Sequence, residues 1–369
     1  PEGVQIKCET ADEEYAVLQI RSEVKNRKPI PAEMTLHTVI RNEKGDVVGE
    51  EKTVAVLFDQ EQRELTQRIV IEKPELWSAE TPILYTCEST LMMGEEVVDA
   101  QTEKFGIRTM SLDAKRGLRI NGESVKLRGA CIHHDSGLLG AATFEDAQYR
   151  QVAKLKEAGF NAIRMSHHPM APAMLRACDE LGMYVMDETF DMWDRCKSDL
   201  DYGLYFREWW EKDVTAMVRK DYNHPSVILY SVGNEIPEIG TDHGAKTCHE
   251  LCEKIKALDE TRYTLASING VFAAGDQVDN IVADVSADLC AKGELDGNVN
   301  DFMTLMDDHM DEIVVHPAIT ERLEKACAST DIAGYNYMTA RYEMDGELYP
   351  NRVIVGSETY PPEIARNWD

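Results

Sequence analysis

From residue 109 onward, strand-like and helix-like segments alternate along the chain, and this alternation limits the fold more than any other feature. Segments with apolar residues at helical spacing separate apolar, strand-like stretches. One such segment, 143–160, predicts a helix that Thr143 and Asp146 cap, and the acidic stretch 275–330 is also predicted to be helical. Strict alternation builds a parallel sheet covered by helices. The seven predicted strands begin near Leu127, Ala162, Tyr184, Ile228, Tyr263, Ile332 and Val353.

An open doubly wound sheet and a closed barrel both satisfy this alternation, and the polar residues at the strand ends favour the barrel. In a (β/α)8 TIM barrel the C-terminal strand ends converge on one mouth, so residues distant in sequence meet there. No glycine-rich phosphate loop follows any of the predicted strands, which disfavours a nucleotide-binding sheet. The polar residues at the strand ends are His133, Asp135, Arg164, His167, Asp187, Glu188, Asn234, Glu235, Tyr337 and Glu358.

The first 108 residues have a different pattern. Apolar and polar residues alternate in "YAVLQIRSEV" and "MTLHTVIR", and "NEKGD" is typical of a turn. Several short strands separated by turns predict a β-sandwich. We therefore expect a multidomain chain with a sandwich at 1–108 and a barrel at 109–369.

Two strands end in the same local sequence. The stretch "VILYSVGNEIPE" (227–238) leads through a glycine to Glu235, and "RVIVGSETYPP" (352–362) leads through a glycine to Glu358. Two carboxylates that face each other across a barrel mouth can cleave a glycosidic bond, one as proton donor and the other as nucleophile or as the base for water. Either glutamate alone could instead be a surface carboxylate at the start of a loop.

Other polar and aromatic residues at the strand ends suit a sugar site. Arg164 would keep one carboxylate ionised while the other stays protonated. The histidines and Asn234 would hydrogen-bond sugar hydroxyls, and Trp193 or Tyr337 would stack on a ring face. Each has a structural alternative, because a lone arginine is more often an ion-pair partner and Trp193 would equally suit the core.

Composition excludes several classes of partner. A net charge of −28 disfavours binding to nucleic acid or to anionic membranes. No stretch approaches the roughly 20 apolar residues that a membrane helix needs. Nine cysteines without a dense framework fit a reducing, cytoplasmic compartment better than a secreted disulfide scaffold.

The combined motifs resemble those of glycoside hydrolase family 2, the β-galactosidase and β-glucuronidase family. They are "FGIRTM", "NGESVKLRGACIHHD", "IRMSHHP", "MDE", "GNE" and "GSE". The resemblance covers the whole chain and implies an immunoglobulin-like sandwich followed by a TIM barrel. It implies that Glu235 is the acid/base and Glu358 the nucleophile of a retaining exo-β-glycosidase that hydrolyses terminal β-D-galactosides. Within the same family the alternatives are a glucuronidase or a mannosidase, and outside enzymes a non-catalytic carbohydrate-binding relative.

The resemblance also implies roles for other residues. Asn234 would bind the sugar 2-hydroxyl, Arg164 would support the nucleophile, and the sugar subsite would be lined by His133, His167, Asp187 and Tyr337. Magnesium-dependent galactosidases of the family carry a Glu-x-His pair that Met192 and Asp194 do not reproduce. We therefore expect no metal and no cofactor, with a carbohydrate substrate as the partner.

The strand count raises a further expectation. An eight-stranded barrel needs one more strand after the seventh, near Val353, to close the sheet. Without it two edges carry unpaired backbone groups, which would allow pairing with a second copy of the chain. We expect a C-terminally truncated barrel of about seven strands that folds but has little or no activity.

Overall fold

The computed structural model describes residues 3–292 and 309–368. Its first part is a sandwich of two antiparallel sheets, ordered β1-β2-β5 and β4-β3-β6-β7. Inward apolar residues alternate with outward polar ones, as in β3, because side chains on a strand point alternately to its two faces. The immunoglobulin-like sandwich predicted from the sequence is confirmed. Its strands are β1 (Val4–Ala11), β2 (Tyr15–Lys25), β3 (Ala32–Arg41), β4 (Val47–Leu57), β5 (Gln62–Glu72), β6 (Tyr85–Met93) and β7 (Glu96–Phe105).

A small antiparallel sheet follows, which the sequence analysis did not predict. It consists of β8 (Met110–Asp113), β9 (Gly117–Ile120) and β10 (Glu123–Ser124). Leu118 and Ile120 of β9 pack with Trp77, from the segment between β5 and β6, against the parallel sheet. This apolar layer covers residues at the N-terminal ends of the parallel strands, so the opposite ends are left for a site.

The parallel sheet has seven strands in sequence order among the described residues, and all seven predicted strands are confirmed. They are β11 (Gly129–Ile132), β12 (Ala162–Met165), β13 (Tyr184–Glu188), β14 (Val227–Asn234), β15 (Tyr263–Asn269), β16 (Ile332–Asn336) and β17 (Ile354–Glu358). Arg164 on β12 forms an ion pair with Glu358 on β17, although four strands lie between them. The sheet is therefore curled, as an incomplete TIM barrel requires.

Helices separate most of the parallel strands. Pro172 begins α2 and Gly182 ends it with a φ of 73°, as expected for a left-handed C-cap. The predicted cap of α1 is not formed, because its N-cap is Phe144, which makes no side-chain hydrogen bond. The helices are α1 (Glu145–Glu157), α2 (Pro172–Leu181), α3 (Phe206–Asp221), α4 (Asp242–Leu258), α5 (Gly270–Ala274), α6 (Val278–Lys292), α7 (Met310–Val314), α8 (Pro317–Cys327), α9 (Arg341–Leu348) and α10 (Ile364–Trp368).

The helical prediction for 275–330 holds for α6, α7 and α8, while 293–308 lies outside the described residues. No helix in the part of the chain that the structure describes is long and apolar enough to cross a membrane.

Candidate active site

Both glycines of the two strand–Gly–x–Glu stretches are required by close packing. A Cβ atom on Gly233 would lie 2.8 Å from Cγ1 of Ile236 and 2.9 Å from Nε1 of Trp193. A Cβ atom on Gly356 would lie 2.4 Å from the phenol oxygen of Tyr342. Because only glycine fits at these positions, each strand can come close to its neighbours just before it presents its glutamate.

Arg164 connects the two sides of the curled sheet. Its Nη1 donates to Oε2 of Glu358 at 3.0 Å, and its Nη2 donates to Oε2 of Glu188 at 2.8 Å. The same Nη2 also donates to Oδ1 of Asn234 at 2.8 Å. Since the arginine is only 4% exposed, these are desolvated, charge-assisted hydrogen bonds that fix the positions of their acceptors.

Glu188 is a fully buried carboxylate behind the site. Burial opposes its ionisation, but the Arg164 guanidinium and the hydrogen bond to His167 outweigh burial and lower the pKa of Glu188. Its oxygens also accept from the hydroxyls of Ser231 at 2.6 Å and Ser267 at 3.2 Å. His167 Nδ1 lies 2.7 Å from Oε1 of Glu188, so the hydrogen bond places the proton on Nδ1 and leaves Nε2 available to a ligand.

Glu358 accepts hydrogen bonds from three side chains. Besides Arg164, the phenol of Tyr337 donates to Oε1 at 2.6 Å and Nδ2 of Asn336 donates to Oε2 at 2.9 Å. Burial and the Glu358 carboxylate raise the pKa of Tyr337, and the charge of Glu235 adds to the shift. Both glutamates therefore act on the same phenol, which remains protonated and can donate.

Glu235 follows β14 in an unusual backbone conformation. Its φ of +46° lies in the left-handed region, which is costly for a residue with a Cβ atom. Its backbone N–H donates to the carbonyl of Ser267 on β15 at 2.7 Å. Its Oε1 accepts from Nδ2 of Asn269 at 2.9 Å, so both its backbone and its carboxylate are held by β15.

Two predicted sugar-binding residues face elsewhere. Asp187 is fully buried on the helix side of β13, where its oxygens accept from Met170 N at 3.0 Å and Lys220 Nζ at 3.1 Å. Glu188, the next residue along β13, takes the inward position instead, because side chains alternate between the two faces of a strand. Trp193 is also fully buried, and its indole N–H donates to the carbonyl of Val232 at 2.9 Å. Neither residue offers a surface to a sugar in this structure.

The other predicted residues lie at the rim of the mouth formed by the strand ends, or in the hydrogen-bond network around Arg164. The His133 ring meets the His167 ring edge-on, with centroids 5.3 Å apart. Asp135 is exposed, and its Oδ1 accepts from the backbone N–H of Gly137 at 2.9 Å, which stabilises a turn at the rim. The predicted residues that the structure joins in one hydrogen-bond network are Arg164, His167, Asn234, Tyr337 and Glu358, with His167 linked to Arg164 through Glu188.

Several residues around this network were given no role in the sequence analysis, and only Glu188 among them was noted there as a polar residue at a strand end. Glu188 directly follows Asp187 in β13. Because side chains alternate along a strand, one residue of β13 known to point inward would have shown that Glu188 does so as well. Asn336 and Asn269 are the last residues of β16 and β15, at the same strand ends as the predicted candidates. Asp191 lies in the loop after β13, and no local pattern distinguishes it from other loop carboxylates.

The residues at the position of the family's magnesium pair do not suit a divalent cation. Met192 provides only a thioether, which is a poor ligand for magnesium. The carboxylate of Asp194 accepts from Arg207 and lies 2.8 Å from Nε2 of His243. Among the described residues, no group of three or more His, Cys, Asp and Glu side chains is arranged to hold a metal ion.

A cleft of about 580 Å³ adjoins the network on the side of β12 and β13. His167 and Asp191 form part of its lining, and the rest is mainly apolar. A larger cavity of about 920 Å³ lies between the sandwich and helices α2 and α3, and none of the network residues lines it. Neither Glu235 nor Glu358 lines the smaller cleft, so it meets the site only through His167 and Asp191.

A sandwich followed by a curled parallel sheet, with two carboxylates at the C-terminal strand ends, is the layout of a glycoside hydrolase. The model for the TIM barrel domain of glycosyl hydrolases family 2 matches residues 113–344, and a second model for glycosyl hydrolases family 2 matches residues 2–108. The chain belongs to glycoside hydrolase family 2.

Similar proteins agree with this assignment. A β-galactosidase of Bacteroides ovatus is 40% identical over 245 residues, which are 66% of this chain and 29% of that protein. A family 2 glycosyl hydrolase of Bacteroides cellulosilyticus has a TM-score of 0.83 at 33% identity, over 99% of this chain and 41% of that one. A β-glucuronidase of Bacteroides uniformis has a TM-score of 0.71 at 25% identity, over 97% of this chain and 40% of that one. This chain spans less than half the length of each.

Proposed function

We propose that this chain carries the catalytic site of a retaining exo-β-glycosidase that releases terminal β-D-galactosyl residues. The observation that carries the proposal is the asymmetry between the two glutamates. Glu358 accepts hydrogen bonds from Arg164, Tyr337 and Asn336, which hold its carboxylate in a fixed orientation that suits a nucleophile. Glu235 accepts one amide hydrogen bond, from Asn269, and no ion pair with it is formed among the described residues, which suits a group that must gain and lose a proton.

The proposed reaction has two steps. In the first, a Glu358 oxygen attacks the anomeric carbon, the glycosidic C–O bond breaks, and the leaving oxygen takes the proton of Glu235. The product is a sugar ester of Glu358. In the second step the Glu235 carboxylate takes a proton from water, the water oxygen attacks the anomeric carbon, and Glu358 leaves as a carboxylate.

The surrounding residues would bind and orient the sugar. The side-chain carbonyl of Asn234 accepts from Arg164 and one of its amide N–H groups donates to Asp191, so the second N–H remains for a ring hydroxyl. Nε2 of His167 is free to bond a second hydroxyl, because Nδ1 is committed to Glu188. His133 stands edge-on to that ring and extends the polar wall toward the rim.

The similar proteins support galactosides first and glucuronides second. A β-galactosidase is among the most similar relatives, and a β-glucuronidase is among the similar structures. A panel of nitrophenyl β-glycosides, assayed on the longest polypeptide that contains this sequence, separates the two substrates. Turnover of galactoside supports the first proposal, and turnover of glucuronide alone supports the second.

The nucleophile can be identified chemically. A 2-deoxy-2-fluoro β-glycoside slows the second step, so the sugar should remain on Glu358 and be found there by peptide mass spectrometry. Glu358→Gln and Glu235→Gln should each lower turnover strongly, whereas the exposed control Glu253→Gln should not. Unchanged turnover in either site variant would show that the substituted glutamate is not catalytic. A wild-type protein that binds the sugar without turnover would instead support a non-catalytic carbohydrate-binding relative.

We also propose a reducing compartment and no requirement for a metal. All nine cysteines are free thiols in the structure, and five of them are buried. A reducing environment maintains such thiols. Met192 and Asp194 support the absence of a metal requirement, because a thioether is a poor ligand for magnesium and the Asp194 carboxylate is paired with Arg207.

A further inference from the structure

The peptide group that joins Asn234 to Glu235 is anchored at both ends. Its N–H donates to the carbonyl of Ser267 at 2.7 Å. Its carbonyl accepts from Nζ of Lys197 at 2.9 Å. Lys197 lies in the loop that follows β13, far from the strand end in sequence but directly against it in space. A peptide plane bonded on both sides cannot rotate without losing a hydrogen bond.

Lys197 is itself held in place. Its Nζ lies 2.7 Å from Oδ1 of Asp191, and the same oxygen accepts from Nδ2 of Asn234 at 2.9 Å. Its backbone N–H donates to Oδ2 of Asp201 at 2.6 Å. Lys197, Asp191 and Asn234 thus close a ring of hydrogen bonds, and the side chain of Lys197 is only 23% exposed. An ammonium ion used in this way is a structural part of the site rather than a solvated surface charge.

This ring of hydrogen bonds influences where the Glu235 side chain points. The positive φ of Glu235 is a conformation that a glutamate adopts only when its surroundings impose it. Rotation of the preceding peptide would relieve this strain and would swing the carboxyl away from the mouth. Lys197 opposes that rotation by holding the carbonyl.

The loop that carries Lys197 also contains Met192 and Asp194, the positions that the family resemblance compares with a magnesium-binding Glu-x-His pair. Met192 offers no oxygen, and Asp194 is occupied by Arg207 and His243. We propose that Lys197 is a positioning residue for the acid/base Glu235, and that its fixed ammonium removes the need for a divalent cation. This proposal rests on the proposed glycosidase function.

The choice of leaving group tests the proposal. A dinitrophenolate leaves without a proton, whereas an alkoxide leaves only with acid assistance. The ratio kcat/KM reports the first step of the reaction, in which the leaving group departs. In Lys197→Met, kcat/KM for an alkyl β-galactoside should fall about 100-fold, the scale of acid catalysis, while the dinitrophenyl galactoside loses less than about 5-fold. An equal fall for both substrates would overturn the proposal, because general damage to the site does not distinguish leaving groups.

Two further variants control for folding. Asp191→Asn weakens the anion that holds Lys197 and should reproduce the selective loss, even if Lys197→Met fails to fold. Lys246→Met removes an exposed lysine of α4 and should leave both substrates unchanged. If both Lys197→Met and Asp191→Asn retain wild-type rates on the alkyl substrate, the proposal is wrong.

Metal dependence provides an independent result. EDTA should leave the kcat/KM and thermal midpoint of the wild-type protein unchanged, and calorimetric titration with magnesium should show no binding at the site. A loss of activity in EDTA that magnesium restores would overturn the proposal. A wild-type protein that cleaves no glycoside would instead refute the proposed function, so the two failures are distinguishable.

Discussion

The phenol oxygen of Tyr337 lies 2.6 Å from Oε1 of Glu358, at the end of the neighbouring strand. The backbone of Tyr337 also donates to the carbonyl of Glu358 at 2.8 Å, so the two residues are joined twice. Tyr337 has a φ of +57°, in the left-handed region, which directs its side chain back onto the carboxylate. This pair fixes the orientation of the proposed nucleophile.

Replacement of this phenol should slow the reaction. Tyr337→Phe removes one hydrogen bond to a carboxylate, worth about 1.5–3 kcal/mol, so we expect kcat to fall by about 10- to 150-fold. Because burial and Glu358 raise the pKa of Tyr337, the phenol donates throughout the neutral range, and the loss should be the same from pH 6 to pH 9. Rate measurements across that range test this, with the exposed Tyr205→Phe as control.

The buried Glu188 should make stability depend on pH. Its folded pKa lies below the usual value of 4.5, so ionised Glu188 adds stability above about pH 4.5, and that stability is lost as the pH falls through the folded value. Glu188→Gln should therefore lower the free energy of unfolding at pH 7 by about 3 kcal/mol, because it leaves the arginine with one carboxylate fewer. Urea unfolding at pH 7 and pH 4 should show a smaller difference at pH 4; a difference independent of pH would contradict the assignment.

A methyl group at Gly233 should displace the acid/base. In Gly233→Ala the new Cβ would lie 2.8 Å from Ile236 and 2.9 Å from the buried Trp193, so the strand end must shift. We expect kcat/KM to fall by about 100-fold, the effect of a displacement near 1 Å. Gly346 of α9 has no atom within 4 Å of a Cβ position, so Gly346→Ala should retain activity and gain up to about 1 kcal/mol of stability. Equal effects at the two positions would refute the packing argument.

The distance between the two carboxyl groups predicts the stereochemistry. A retaining mechanism requires Glu235 and Glu358 to be about 5–5.5 Å apart, whereas an inverting one needs about 6.5–9.5 Å for a water. We expect the shorter separation in a crystal structure with a bound sugar. We also expect the β-anomer as the first product by NMR. Release of the α-anomer would overturn the double displacement.

The order of elements could be read from the sequence because it depends on local patterns. Alternating apolar residues predicted the sandwich, and apolar runs separated by helical spacing predicted all seven parallel strands. The failed cap of α1 shows the limit of such patterns. Phe144 takes the N-cap position although Thr143 has the better side chain, so the end of that helix is not set by its capping preference.

The positions of Glu235 and Glu358 could also be predicted, because the C-terminal ends of parallel strands in a barrel meet at one mouth. What the sequence left open was which neighbours face the same side. One residue of register separates the inward Glu188 from the outward Asp187, and the local sequence "MDE" gives no sign of which is which. The burial of Trp193 was equally undetermined, because an aromatic residue after a strand suits the core and a sugar surface alike.

The sequence by itself determined the fold class, the order of the strands and the placement of Glu235 and Glu358 at two strand ends, since each follows from residue types within a short window. Only the tertiary structure decided that Arg164 reaches Glu188 and Glu358 together, and that Lys197 holds the peptide before Glu235. These contacts join residues 24 to 194 positions apart, and they depend on how the sheet curls and how a loop folds back over a strand end. Such relations are set by the packing of the whole core, which no local pattern encodes.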